Sequence, residues 1–122
     1  MSLLVASEWS LDVDRGPEWV FIRLHGPPNG NAEGSELAEM IWHSMQQQFA
    51  KRVVLELDEL PLMRSAFIGE LVLLHKRIVS NGGTLRVAGL SDFNQEVLCM
   101  CRLNSRFPQY HNRADAVMGQ RK

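Results

Sequence analysis

The stretch from Arg52 to Ala88 constrains the fold more tightly than any other part of this chain. Val53-Val54-Leu55 is a short apolar run rich in β-branched residues, the composition of a strand covered on both faces. From Ser65 onward, Phe67, Leu71, Leu74 and Ile78 recur at helical spacing, and Ile68, Val72 and Val79 widen the stripe. Asn81-Gly82-Gly83 ends that helix with residues suited to a left-handed cap. Thr84 to Ala88 then reads as the next strand. Two strands joined by one helix pair in parallel through a right-handed crossover. A parallel pair needs helices against its sheet, so the class is α/β.

The flanking segments extend the same architecture. Residues 7–14 alternate around Trp9, Leu11 and Val13, the period of a half-buried strand. Arg15-Gly16-Pro17 is a turn, and Trp19 to Leu24 pairs back as an antiparallel hairpin. Residues 26–31, with two prolines and two glycines, form a loop. Glu33 to Phe49 predicts a helix whose core stripe is Leu37, Met40, Ile41, Met45 and Phe49, with Trp42 at the stripe's edge. Ser91-Asp92 starts a third helix carrying Phe93, Val97, Leu98 and Cys101, with Asp92 and Gln95 spaced as a capping box. A short extended piece around Tyr110 and a helix from Arg113 to Met118 close the chain. The order β-β-α-β-α-β-α plus a tail predicts one domain over residues 1–122, with its ordered core about 9–118 and a mixed sheet bearing packed helices. The expected core is Val53, Leu55, Leu57, Leu71, Leu74, Ile78, Leu85 and Val87.

Charge and cysteine usage narrow the function classes. Residues 1–61 hold ten acids and four bases, and residues 62–122 hold four acids and nine bases. The bases are scattered and not interleaved with aromatics, unlike the stripe of a nucleic-acid binder. No apolar stretch approaches a membrane span, and no charged segment precedes an apolar one as in a signal peptide. Cys99 and Cys101 are two apart in a helix, where side chains do not face each other. They read as buried small hydrophobes in a cytoplasmic protein. His25, His43, His75 and His111 lack metal-ligand spacing, and His75 reads as a partly buried partner of the second helix. No nucleophile elbow, phosphate loop or dinucleotide fingerprint is present. A non-enzymatic domain without a cofactor is therefore expected.

The segment from Val53 to Leu71, containing Leu60-Pro61-Leu62-Met63-Arg64-Ser65-Ala66-Phe67-Ile68-Gly69, resembles the core of the STAS family. That family is named for sulphate transporters and anti-sigma factor antagonists. Its members run strand, connector, then Asp-Ser-Ser-Gly-Leu-Gly opening a helix. Gly82-Gly83, the strand ending in Gly89, the run Leu103-Asn104-Ser105-Arg106-Phe107-Pro108 and the closing Ala114 to Val117 are similar to later parts of the pattern. The resemblance puts Ser65 on the family's phosphorylatable serine, Arg64 on its aspartate, Ala66 on the second serine and Phe67 on a glycine. Gly69 falls on the last glycine.

The resemblance implies a regulatory domain of a bacterial partner-switching system, docking on an anti-sigma factor of the serine-kinase type. The residues it points to are Met63, Arg64, Ser65 and Phe67, the last as an exposed contact. Asn29, Gly30 and Asn31 are expected to join them in partner binding, since their loop also precedes a helix and so lies on the same edge of such a fold. Arg64 and Phe67 depart from the motif and favour the alternative of a constitutive scaffold or homo-oligomerising module without phosphate control. A third reading is a domain binding a nucleotide or another anion. From the residues alone, Ser65 at a helix start is an N-cap, and a phosphate there would meet the positive helix end. Glu56 and Asp58 point the same way from an extended chain. They could hold a cation near Ser65, but without a third ligand they read as solvated acids at a strand end.

Overall fold

The computed structural model describes residues 2–4, 9–26, 37–60 and 62–121, with the backbone alone for residues 2–4. The elements are β1 (Ser2–Leu4), β2 (Ser10–Arg15), β3 (Trp19–His25), α1 (Leu37–Gln47), β4 (Arg52–Glu56), α2 (Ser65–Ser80), β5 (Thr84–Ala88), α3 (Asp92–Met100), β6 (Gln109–Tyr110) and α4 (Arg113–Met118). They build one six-stranded sheet in the order β1-β2-β3-β4-β5-β6. The β1–β2 and β2–β3 pairs are antiparallel, and the other three are parallel. The α/β class, the opening hairpin and the parallel βαβ units are as the sequence predicts. Strand β1 was not expected. Its three residues are too few to show a period, and only pairing with Asp12, Leu11 and Ser10 defines it.

Alternation along the strands creates two cores of different kinds. Val53, Leu55 and Leu57 face one side with Val20, Ile22, Leu24, Leu85 and Val87. Leu37, Ile41 and Met45 of α1, Phe67, Leu71, Leu74 and Ile78 of α2, and Leu98 of α3 cover them. All eight residues of the expected core are buried there. On the opposite side, Trp19, Val54, Ala88 and Tyr110 pack with Ala116 of α4, and Phe21 borders them.

That second face is laced with charge by the strand register. Arg23 sits opposite Asp12 on one side and Glu56 on the other. Glu56 is 5% exposed, and it is not a solvated strand-end acid. Its carboxylate accepts from Arg23 at 3.2 Å and from Arg113 at 3.1 and 2.5 Å. Asp58 accepts from the Arg23 Nε at 3.2 Å. What these carboxylates hold is the guanidinium groups of two arginines. Arg113 also bonds Asp14 and lies over the Phe21 ring, 4.5 Å from its centroid.

Several helix details differ from the sequence reading. Phe49 and Phe93 are 92% and 61% exposed, outside the core stripes assigned to them. Cys99 and Cys101 are exposed thiols, because Leu98, just before them, takes the inward position. Ser91, one residue before Asp92, caps α3 by accepting from the Asn94 N–H at 3.2 Å. Gln95 instead donates to the Leu90 carbonyl.

Candidate functional site

Connectivity brings helix starts to one edge of the sheet. Each parallel strand ends there and its connector feeds a helix N-terminus, the edge where open α/β sheets place their binding surfaces. The connector after β4 is pinned at several points. The Leu57 N–H donates to the Ala88 carbonyl at 2.9 Å and the Leu60 N–H to the Leu57 carbonyl at 3.1 Å. Gly89, at φ 77°, lets the β5 loop pass Asp58, where a Cβ would stand 3.0 Å from the Asp58 Cβ. The Met63 N–H donates to the Asn94 Oδ1 at 2.9 Å, and Asn94 is 2% exposed. This buried amide of α3 fixes where α2 begins.

Helix α2 begins at Ser65, with Arg64 in the capping position at φ −103° and ψ 164°. Arg64 makes no side-chain capping bond. Ser65 is therefore the first helical residue and not the cap, which corrects the sequence reading. The first backbone bond of the helix runs from the Ile68 N–H to the Arg64 carbonyl at 3.0 Å. The N–H groups of Ser65, Ala66 and Phe67 have no acceptor within the helix. Arg64, Ser65 and Ala66 are all exposed.

Two of the predicted contact residues turn inward. Phe67 is 4% exposed and stacks on Trp9 with ring centroids 5.6 Å apart. Its position on the helix places it in the core stripe with Leu71, so it cannot be the exposed contact expected of it. Met63 is likewise buried, at 4%. Asn29, Gly30 and Asn31 lie outside the described residues. The structure thus brings Met63, Arg64, Ser65 and Phe67 to one helix start and divides them, two inward and two outward.

The outward surface has members that the sequence reading missed. Leu62, Leu73 and Phe93 are 47%, 58% and 61% exposed. Gly69 is also exposed, and a Cβ there would meet nothing within 4 Å. Ala66, Gly69 and Leu73 share one α2 face by their three- and four-residue spacing. The signal was present, since this second stripe lies opposite Phe67, Leu71 and Leu74. The Ala38 N–H at the start of α1 donates to Glu70 of α2 at 3.1 Å, so the two helix starts are joined. Among the described residues no group of three or more His, Cys, Asp or Glu side chains is placed to hold a metal. No described helix is long and apolar enough to cross a membrane.

Solved structures share this architecture over most of their length. An anti-sigma factor antagonist (STAS) domain protein from Planctomyces limnophilus is 20% identical, with TM-score 0.70 over 89% of this chain and 96% of that one. The fold is the STAS fold. A putative anti-sigma factor antagonist from Thermotoga maritima is 17% identical, with TM-score 0.75 over 89% of this chain and 92% of its own. The Bacillus cell-fate determinant SpoIIAA shares the STAS fold at 17% identity. Its unphosphorylated form gives TM-score 0.67 over 92% and 99% of the two chains, and its phosphorylated form 0.64 over 91% and 99%. No family model matches the sequence, and no curated protein matches it either. In this STAS fold the helix that opens at Ser65 follows the central parallel strand β4.

Proposed function

We propose that this chain is a regulatory docking domain that works by binding a protein, as an anti-sigma factor antagonist does, and catalyses nothing itself. The docking surface is the start of α2, with Arg64, Ser65, Ala66 and Gly69 on its outward side. The observation that carries this reading is the open helix start. Ser65 is exposed at the first helical position, its neighbour supplies no side-chain cap, and the first three backbone N–H groups lack helical acceptors. A partner's acidic group, or a phosphate on Ser65, would meet the positive end of a sixteen-residue helix.

Phe67 no longer argues against phosphorylation, because its ring lies in the core and presents no bulk to a kinase. Arg64 is then the departure that bears on regulation. It carries positive charge beside Ser65, where the family motif has an acid. A partner with an acidic patch suits that charge directly, which favours constitutive docking over a switch. The experiment compares wild type with Arg64→Asp, using a serine kinase of the anti-sigma factor type and ATP, with intact mass as readout. The expected results are poor labelling of wild-type Ser65 and weaker partner binding by Arg64→Asp with an unchanged melting point. Rapid stoichiometric labelling of the wild type would overturn constitutive docking and make Ser65 a switch. Unchanged partner affinity in Arg64→Asp would remove the docking surface itself.

A further inference from the structure

The opposite edge of the sheet, where α1 and α2 end, carries a second unusual feature. Helix α1 closes with the Ala50 N–H donating to the Met45 carbonyl and the Phe49 N–H to the Gln46 carbonyl, both at 3.0 Å. That pair of bonds is a Schellman motif, whose left-handed position is normally glycine. Here it is Phe49, at φ 52°. Helix α3 closes in the same way with Arg102 at φ 59°, but a guanidinium there is at home in water. The Phe49 ring is 92% exposed. It gains no burial from its own fold to offset a backbone conformation that is strained for a bulky residue.

Phe49 stands at the rim of a groove of about 440 Å³ that it lines together with Trp42, Met45, Ala50 and Ile78 and the polar Gln46 and Asn81. Lys51 is the one charged residue lining it among the described residues. We propose that this edge is a self-association surface, in which Phe49 of one copy enters the groove of a second copy and receives that copy's Phe49 in return. A projecting ring and a receptive groove on a single patch are what a two-fold, self-complementary contact requires. A different partner would need only the groove. The near-absence of charge also matches the centre of an interface. Burying two phenyl rings at about 150–250 Å² each, plus the groove walls, falls short of the roughly 1,600 Å² of a stable complex. The dimer is therefore weak and reversible. Its surface lies about 24 Å from Ser65 along α2, so the inference does not rest on the proposed docking function.

Sedimentation equilibrium of the full chain, from about 10 μM to about 1 mM, tests the proposal. The average mass should rise above the 13.9 kDa monomer towards twice that value. Phe49→Gly should weaken association by about tenfold or more. At micromolar concentration the same variant should melt higher than wild type by roughly 2–8 °C, because glycine adopts the left-handed conformation freely. Arg64→Asp should dimerise like wild type, which separates this face from the docking surface. A wild type that stays monomeric at about 1 mM, or a Phe49→Gly variant that associates as strongly, overturns the proposal. So does a lower melting point for Phe49→Gly, since the ring would then be serving the monomer.

Discussion

Ser65 and His75 show how one side chain's position decides what it does. Ser65 stands at the first position of α2 and not at the cap, so its hydroxyl does not hold the helix start. Ser65→Ala should change stability by no more than about 0.5 kcal/mol, as at an ordinary surface site. Ser65→Asp should hold stability or raise it by about 0.3–1 kcal/mol through the helix dipole. Urea midpoints of the two variants check both, and a loss above about 1 kcal/mol in Ser65→Ala would restore the capping role. His75 packs edge-on against the Phe107 ring, with centroids 5.1 Å apart. Burial, followed by the charge of Arg106, lowers its pKa below the usual 6.5. The unfolded chain therefore binds the proton more readily. His75's contribution is fully present above about pH 6.5 and is lost as pH falls through that value towards the folded pKa. His75→Gln should flatten the pH dependence of the melting point over that window. An unchanged slope would assign the dependence to other groups.

At the scale of an element, α2 is two surfaces on one helix. Phe67, Leu71, Leu74 and Ile78 are all buried, between 1% and 4% exposed, and they lock the helix to β4 and β5. Leu71→Ala should cost about 2–5 kcal/mol as a large-to-small change in a packed core. A loss below about 0.5 kcal/mol, measured by denaturant unfolding, would mean that the helix is turned the other way. The opposite stripe, Ala66, Gly69 and Leu73, contributes little to the fold and remains available to a partner. The C-terminal end of α2 depends on backbone fit. A Cβ on Gly83 would stand 2.3 Å from the Lys51 carbonyl oxygen, and Gly82 sits at φ 78°. These two glycines, visible in the sequence as a helix stop, allow β5 to start alongside β4.

Across the whole molecule, Glu56 joins segments far apart in the chain. It binds Arg23 of β3 and Arg113 of α4, and Arg113 reaches on to Asp14 of β2. Arg86 adds a second tie to α4 through the Ala116 carbonyl at 2.6 Å. Removing one partner of a buried ion pair costs about 3–5 kcal/mol. Glu56→Gln should fall at or below the low end of that range, since both arginine side chains are 37% exposed and water screens them. Native-state hydrogen exchange should show α4 opening more readily in the variant. Unchanged protection of residues 113–118 would mean that Arg86 and the packing of Ala116 hold the helix without Glu56.

What the sequence determined by itself was the local order of elements. Period-two alternation at Trp9, Leu11 and Val13, the stripe Phe67–Leu71–Leu74–Ile78, and Gly82-Gly83 are short-range signals, and each fixed its element within a few residues. The bounds of α2 came directly from the last two, and the eight-residue core from the α2 stripe together with the apolar runs of β4 and β5. Tertiary structure decided which way ambiguous residues face. Phe67 and Phe93 lie on amphipathic helices and Phe49 just past the end of one, and spacing alone assigned two of the three to the wrong side. Phe67 is inward because Trp9, distant in sequence, supplies a stacking surface. Phe49 is outward because the chain turns left-handed beneath it. The roles of Met63 and Glu56 were equally hidden. Asn94 and Arg113, their partners, lie 31 and 57 residues away, and no pattern within a short window encodes a pairing over that distance.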